Sequence, residues 1–155
     1  MLEWWDIVLR LGVATLASGA IGLNRDLHGK PIGLRTLGMV GLATALIVLI
    51  ASPASLEAGQ LSDATSRVVQ GILTGIGFLG AGVIVHGDQH KVKGLTSAAC
   101  VWFTACIGVV CGLGHWRLVG IAFVIALLLL MFGGPLERTV HRVFGGKSSD
   151  DAQPD

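Results

Sequence analysis

The chain has 155 residues, 52% of them apolar and 14% charged, with a formal net charge of +1 and a mean hydropathy of +0.73. A water-soluble domain carries nearer a quarter charged residues, so the composition excludes an ordinary soluble domain and predicts one all-α bundle in a membrane. The charges are balanced and form no basic stripe, so nothing argues for a nucleic-acid partner.

Five segments are long enough to cross a bilayer, which takes about 20 residues each. They run roughly over 6–23, 34–52, 67–86, 95–113 and 116–134. The first is read as a retained span: a signal peptide opens with basic residues, whereas this one opens with Glu3 and Asp6 and places Arg10 inside the apolar run. Arg10 lies about one turn from the edge, where a cation either snorkels to the interface or finds a partner in the bundle.

After the first span come Asn24, Arg25 and Asp26, and the second opens with Gly33-Leu34-Arg35-Thr36. A hairpin brings these together, so Asp26 is expected to pair with Arg35 or Arg25. The first turn of span two, at Arg35 and Thr36, also offers unbonded amides and a positive dipole end to an anion or an acidic partner. The plainer alternative is a set of topology charges with an ordinary cap. Pro53 closes span two, and Ser52 to Ser66 reads as an external polar loop.

The third span carries Gly71, Gly75, Gly77, Gly80 and Gly82 among bulky apolar side chains. Glycine disfavours a helix in water, but in lipid it lets a second helix approach closely. Gly71 and Gly75 form a GxxxG step with Gly82 on the same face, which predicts the central packing helix of the bundle. Gly75-x-Gly77-x-x-Gly80 also fits the dinucleotide-binding fingerprint, which requires a preceding strand and an acidic residue about 20 positions on. That position is Cys100, in another apolar run, and the nucleotide reading is set aside. Arg67, Gln70 and Thr74 share a face of this span, where they either bond to a neighbouring helix or line a polar passage.

His86-Gly87-Asp88-Gln89-His90 places two imidazoles and a carboxylate together. The ligand set is incomplete, so a solvated turn is favoured over a metal site. In span four, Cys100, Cys106 and Cys111 have no metal-ligand spacing and read as packing residues. Thr96 and Ser97 stand at its mouth, within reach of the polar face of span three or of the Arg25 cluster, and Gly108 and Gly112 make a second GxxxG step.

Gly133-Gly134-Pro135 is expected to end the five-helix domain, residues 1–134. Residues 135–155 are then a short amphipathic helix on the inner membrane surface and a disordered tail. Lys and Arg concentrate after spans one, three and five, at Arg25, Lys30, Lys91, Lys93, Arg138, Arg142 and Lys147. That bias predicts an outside N-terminus and a cytoplasmic C-terminus, with Trp4, Trp5 and Trp116 in the outer aromatic belt. A shift of 61 residues aligns Gly33-Leu34 with Gly94-Leu95 and Lys30 with Lys91, a faint parallel repeat that chance explains equally well. No catalytic set, paired intramembrane carboxylates or phosphate-transfer motif is legible, which predicts no enzyme, no cofactor and no metal.

These motifs resemble the N-terminal membrane domain of the MgtC/SapB family. The likeness rests on Gly22-Leu23-x-Arg25, Gly33-Leu34-Arg35-Thr36, the run from Arg67 through Gln70-Gly71-Ile72 to Gly82, and Gly94-Leu95-Thr96-x-Ala98-Ala99 with Trp102. The resemblance implies a bacterial inner-membrane protein of five spans, linked to growth at low magnesium and, in pathogens, to survival inside macrophages. It implies a regulator more than a transporter, one proposed family target being the rotary ATP synthase. Two departures stand out: Asn24 where the family commonly has an acid, and a chain that stops at Asp155, as in a short, SapB-like form.

The leading expectation is a non-enzymatic regulator that binds another membrane protein, and a second copy of itself as a homodimer, through small-residue faces. The alternative is a small oligomeric magnesium or proton/cation transporter. An enzyme of the membrane surface is a distant third.

Overall fold

The computed structural model describes residues 3–52, 62–86 and 92–144. Its elements in order are α1 (Trp4–Leu27), α2 (Leu34–Ala51), α3 (Asp63–Val83), β1 (Val85–His86), β2 (Val92–Lys93), α4 (Leu95–Gly112) and α5 (Trp116–Phe144). All five helices are long and apolar enough to cross a membrane, in agreement with the expected all-α fold. The addition is a two-stranded antiparallel ribbon, Val85 opposite Lys93 and His86 opposite Val92, between α3 and α4. Asp88 and His90 lie outside the described residues, as does most of the expected external loop.

The chain divides into two compact units, Met1–Phe123 and Val124–Asp155. Within the first, α4 is the central helix and packs against α1, α2 and α3. In lipid the hydrophobic effect does not draw helices together, so association relies on close van der Waals contact and small residues. The sequence supplies these where α2 meets its neighbours. A side chain at Gly41 would fall on the Ser18 hydroxyl of α1, and one at Gly108 would fall on Thr44 and the Gly41 carbonyl. A Cβ on Gly112 would come within 2.9 Å of the Ala45 carbonyl and of Val48. Around these approaches Ala14, Ala45, Ile107, Cys111 and Val119 form a buried apolar core. Cys100 and Cys111 are buried free thiols, consistent with packing residues.

The expectation that span three is the central packing helix is corrected. Only 11% of α3's apolar window is buried, against 56% of α4's. Gly71, Gly75, Gly77 and Gly82 have open space where a side chain would stand, whereas Ile76 and Gly80 are buried. At 100° per residue Gly71 lies about 140° round the helix from Ile76, so the glycine stripe looks outward. The Gly108–Gly112 step, expected to serve an external partner, is filled by α2 of the same chain. A small-residue stripe encodes a close approach but does not say to which helix.

Helix boundaries also shift. The Ser62 hydroxyl accepts from the Thr65 amide at 3.0 Å, a side-chain N-cap that starts α3 four residues before Arg67. The Thr65 hydroxyl in turn donates to the Ala51 carbonyl at 3.0 Å, tying the start of α3 to the end of α2. The break expected at Gly133-Gly134-Pro135 is absent, and α5 continues to Phe144. Proline removes one backbone bond, which a membrane helix tolerates. Its 29 residues span about 43 Å at 1.5 Å each, more than a hydrocarbon core of about 30 Å.

Gly108→Leu should overpack the α2–α4 contact, lowering both membrane accumulation and the thermal midpoint in detergent, by a destabilisation of about 1–3 kcal/mol or more. Gly75→Leu, with open space before it, should leave both near wild type. Equal losses in the two variants would place α3's glycines in the core.

Candidate functional site

The two arginines embedded in α1 lie at opposite ends of the unit, and each is held by α4. Arg10 Nη1 donates to the Gly112 carbonyl at 2.7 Å, and Nη2 pairs with the Asp6 carboxylate at 2.8 Å. Gly114, in the left-handed region at φ +78°, leaves room beside the guanidinium. A helix C-terminus presents unbonded carbonyls and a negative dipole end, so α4 stabilises the Arg10 cation. Of the two expectations for Arg10, a partner within the bundle is the one observed.

The other end gathers the last turn of α1, the first turns of α2 and α4, and the end of α3. Here Gly22 meets the chain entering α2, where a Cβ would stand 2.6 Å from Leu34 Cα. That approach brings Asp26 beneath the α2 N-terminus, and its Oδ2 accepts from the Leu34 amide at 2.9 Å. Gly33 is required because a side chain there would occupy the position of the Asp26 carboxylate.

The expected pairing of Asp26 with Arg35 or Arg25 is therefore corrected. Among the described residues the one ion pair is Asp6–Arg10. Asp26 is committed to the Leu34 amide at the start of α2, so a carboxylate of the chain itself stands at the end where an anion is expected. Arg35 and Thr36 are exposed on the outer side of that turn. Asn24 is half-buried, and its carbonyl accepts from His28 Nδ1 at 2.7 Å.

Arg25 turns inward instead. It is 6% exposed and donates through Nη2 to the Ser97 hydroxyl of α4, itself 1% exposed. Among the described residues Arg25 Nε has no hydrogen-bond partner. Ser97 was legible as reaching either the span-three polar face or the Arg25 cluster, and the second is observed. Beside this contact opens a cleft of about 610 Å³, lined by Arg25, Lys30, Lys93, Thr96 and Ser97 among others. In the sequence the two lysines read only as topology charges; Lys30 reaches the cleft from the α1–α2 connection and Lys93 from β2 of a ribbon that no sequence signal marks.

Arg67, Gln70 and Thr74 share one face of α3, as their spacing predicts, and all three are exposed. The Thr74 hydroxyl donates back to the Gln70 carbonyl at 2.9 Å, within its own helix. Among the described residues they bond to no neighbouring helix and do not line the interior, and they share the outward side of α3 with Gly71 and Gly75. Among the described residues no group of three metal-ligating side chains converges.

Residues 11–139 match the MgtC family. The chain is 39% identical over 136 residues to "Protein SrpB" of Synechococcus elongatus, covering 83% of this chain and 75% of that one. It is 38% identical over 128 residues to "Putative magnesium transporter YhiD" of Escherichia coli K12, covering 81% of this chain and 59% of the relative. With "Protein MgtC" of Salmonella typhimurium it shares 38% identity over 110 residues, 71% of this chain and 45% of the relative. Thus it spans three quarters of SrpB but about half the length of MgtC. No solved structure matches.

Asp26→Ala should remove the α2 cap and destabilise the folded protein in detergent by about 1 kcal/mol, with Asp26→Asn retaining part of it. Arg35→Ala should leave the thermal midpoint unchanged. A midpoint that falls for Arg35→Ala and holds for Asp26→Ala would reverse this assignment.

Proposed function

The chain belongs to the MgtC family, and from that membership we propose a non-enzymatic regulator of the bacterial inner membrane, serving adaptation to low magnesium. It acts by helix–helix contact through the outer face of α3, on a second copy of itself and on a membrane-protein target such as the ATP synthase. Its N-terminus lies outside and its C-terminus in the cytoplasm, as the Lys and Arg distribution favours.

The observation that carries this reading is the outward stripe of α3. Arg67, Gln70 and Thr74 lie exposed beside Gly71 and Gly75, whose surroundings are open. Polar groups facing lipid are unfavourable, and glycines invite a close helix. A partner helix answers both. The inward faces of α1, α2 and α4 meet in a tightly packed apolar cluster, with the buried Thr44 and Thr104 hydroxyls bonded within their own helices, which supports contact over conduction through a single copy.

A second reading is a small cation transporter whose passage forms between copies. The same polar face of α3 supports it, together with the name of the Escherichia coli relative, "Putative magnesium transporter YhiD".

A Thr74→Cys variant with Cys100, Cys106 and Cys111 replaced by Ala should form a reducible dimer on oxidation in membranes, and Gly75→Leu should abolish it. Gly75→Leu should also lose function in a low-magnesium growth test while its membrane abundance holds. Wild-type growth with a monomeric mass in mild detergent would remove the contact reading. Magnesium or proton flux into liposomes containing the purified chain, abolished by Gln70→Leu, would install the transporter in its place.

A further inference from the structure

The first turns of α2 and α4 are built alike and finished differently. Both helices follow a glycine, Gly33 and Gly94, neither of which provides a side-chain cap. The first α2 amide, that of Leu34, receives the Asp26 carboxylate from across the hairpin. Among the described residues no side chain caps α4, whose first intrahelical bond runs from the Ala98 amide to the Gly94 carbonyl at 2.8 Å. Gly94 holds φ +95°, and a side chain there would strike the Val83 carbonyl, so the turn into α4 is fixed by the end of α3.

What stands next to this amide end is a cation. Arg25 is 94% buried (6% exposed) and lines the cleft at the start of α4; Ser97 takes one of its guanidinium nitrogens, and Nε is without a partner among the described residues. A buried charge is tolerated when paired or fully hydrogen-bonded, and the positive end of a helix dipole opposes a neighbouring cation. Lys30 and Lys93 add two more positive charges to the same cleft, and Thr96 adds a hydroxyl. Guanidinium fork, ammonium groups, hydroxyls and unbonded amides are together the donor set that recognises a tetrahedral oxyanion. At about 610 Å³ the cleft falls in the range of small-molecule sites.

We propose that this cleft binds a phosphate-class oxyanion, held by the Arg25 guanidinium, the Ser97 and Thr96 hydroxyls and the first amides of α4, with Lys30 and Lys93 at its mouth. The phosphate belongs either to a soluble anion or to a phospholipid headgroup, the chemistry of recognition being the same. The donors of this cleft include none of the residues on the outer face of α3.

The test uses the purified full chain and reads its thermal midpoint. In zwitterionic detergent, inorganic phosphate is titrated against sodium chloride of equal ionic strength. In parallel, the chain is placed in nanodiscs of phosphatidylcholine alone or with phosphatidylglycerol. Saturable stabilisation by phosphate identifies a soluble anion; stabilisation by phosphatidylglycerol without a phosphate effect identifies a headgroup. In either case Arg25→Gln should weaken the apparent affinity by roughly tenfold or more, as loss of a charge-assisted hydrogen bond does. Should Arg25→Gln not accumulate, Lys93→Gln and Lys30→Gln carry the test, since both side chains are exposed and each should weaken binding severalfold. Stabilisation that matches chloride in detergent and phosphatidylcholine in nanodiscs overturns the proposal, as does an effect undiminished in Lys93→Gln and Lys30→Gln.

Discussion

The close approach of α2 to α1 and α4 is the constraint on which the remaining architecture depends. A helix in hydrocarbon gains little by exchanging lipid contacts for apolar protein contacts, so specificity rests on how near two backbones can come. Gly41 and Gly108 set that distance, with Ser18 and Thr44 fitted into the space a side chain would have taken. Thr44 satisfies its own hydroxyl on the Val40 and Gly41 carbonyls, and Thr104 does the same on Cys100 and Val101. These two threonines thus enter the core without partners on other helices, whereas the buried Ser18 hydroxyl has no partner among the described residues. With α1, α2 and α4 locked together, the positions of both embedded arginines follow.

Those arginines divide the unit electrically. Arg10 lies against the carbonyl end of α4 and Arg25 against its amide end. At Arg10 an acid, a carbonyl and a negative dipole end face one cation, although its Nε, like that of Arg25, has no partner among the described residues. At Arg25 the amide end of α4 opposes the cation while the carbonyl end of α1, in whose last turn it lies, favours it, and no carboxylate pairs with it among the described residues. Asp26 could have relieved Arg25, but the fold commits it to the Leu34 amide.

Spans one, two and four were legible in the sequence to within a few residues, because long apolar runs bounded by glycine, proline or charge leave little choice in lipid. Span three was legible as a helix but not as a peripheral one. Its GxxxG step fits an internal or an external contact equally well, and the discriminating fact is that Gly108 and Gly112 already occupy α2. The Asn24–Asp26 and Gly33–Thr36 segments were correctly brought together, yet their pairing was misread because charges were matched to charges. A buried guanidinium instead took a serine 72 positions away, a contact that no local pattern specifies. Lys30 and Lys93 read as topology charges; Lys93 is placed by a ribbon with two-residue strands, too short to leave a periodic signal, and Lys30 by the turn between α1 and α2.

The attachment of α3 has a mechanical consequence. One end is clipped to α2 by the Thr65 hydroxyl, and the other passes through Val83 into the ribbon that leads to Gly94. Between these anchors little of the helix is buried. A rod fastened at its tips and gripped between them along one narrow edge, at Ile76 and Gly80, moves as a lever: thrust on its outer face is passed to the anchors as well as to the core. Since Val83 also forms part of the cleft wall, a load applied to the membrane-facing flank of α3 is delivered at the mouth of the basic cleft, about 30 Å along a 21-residue helix.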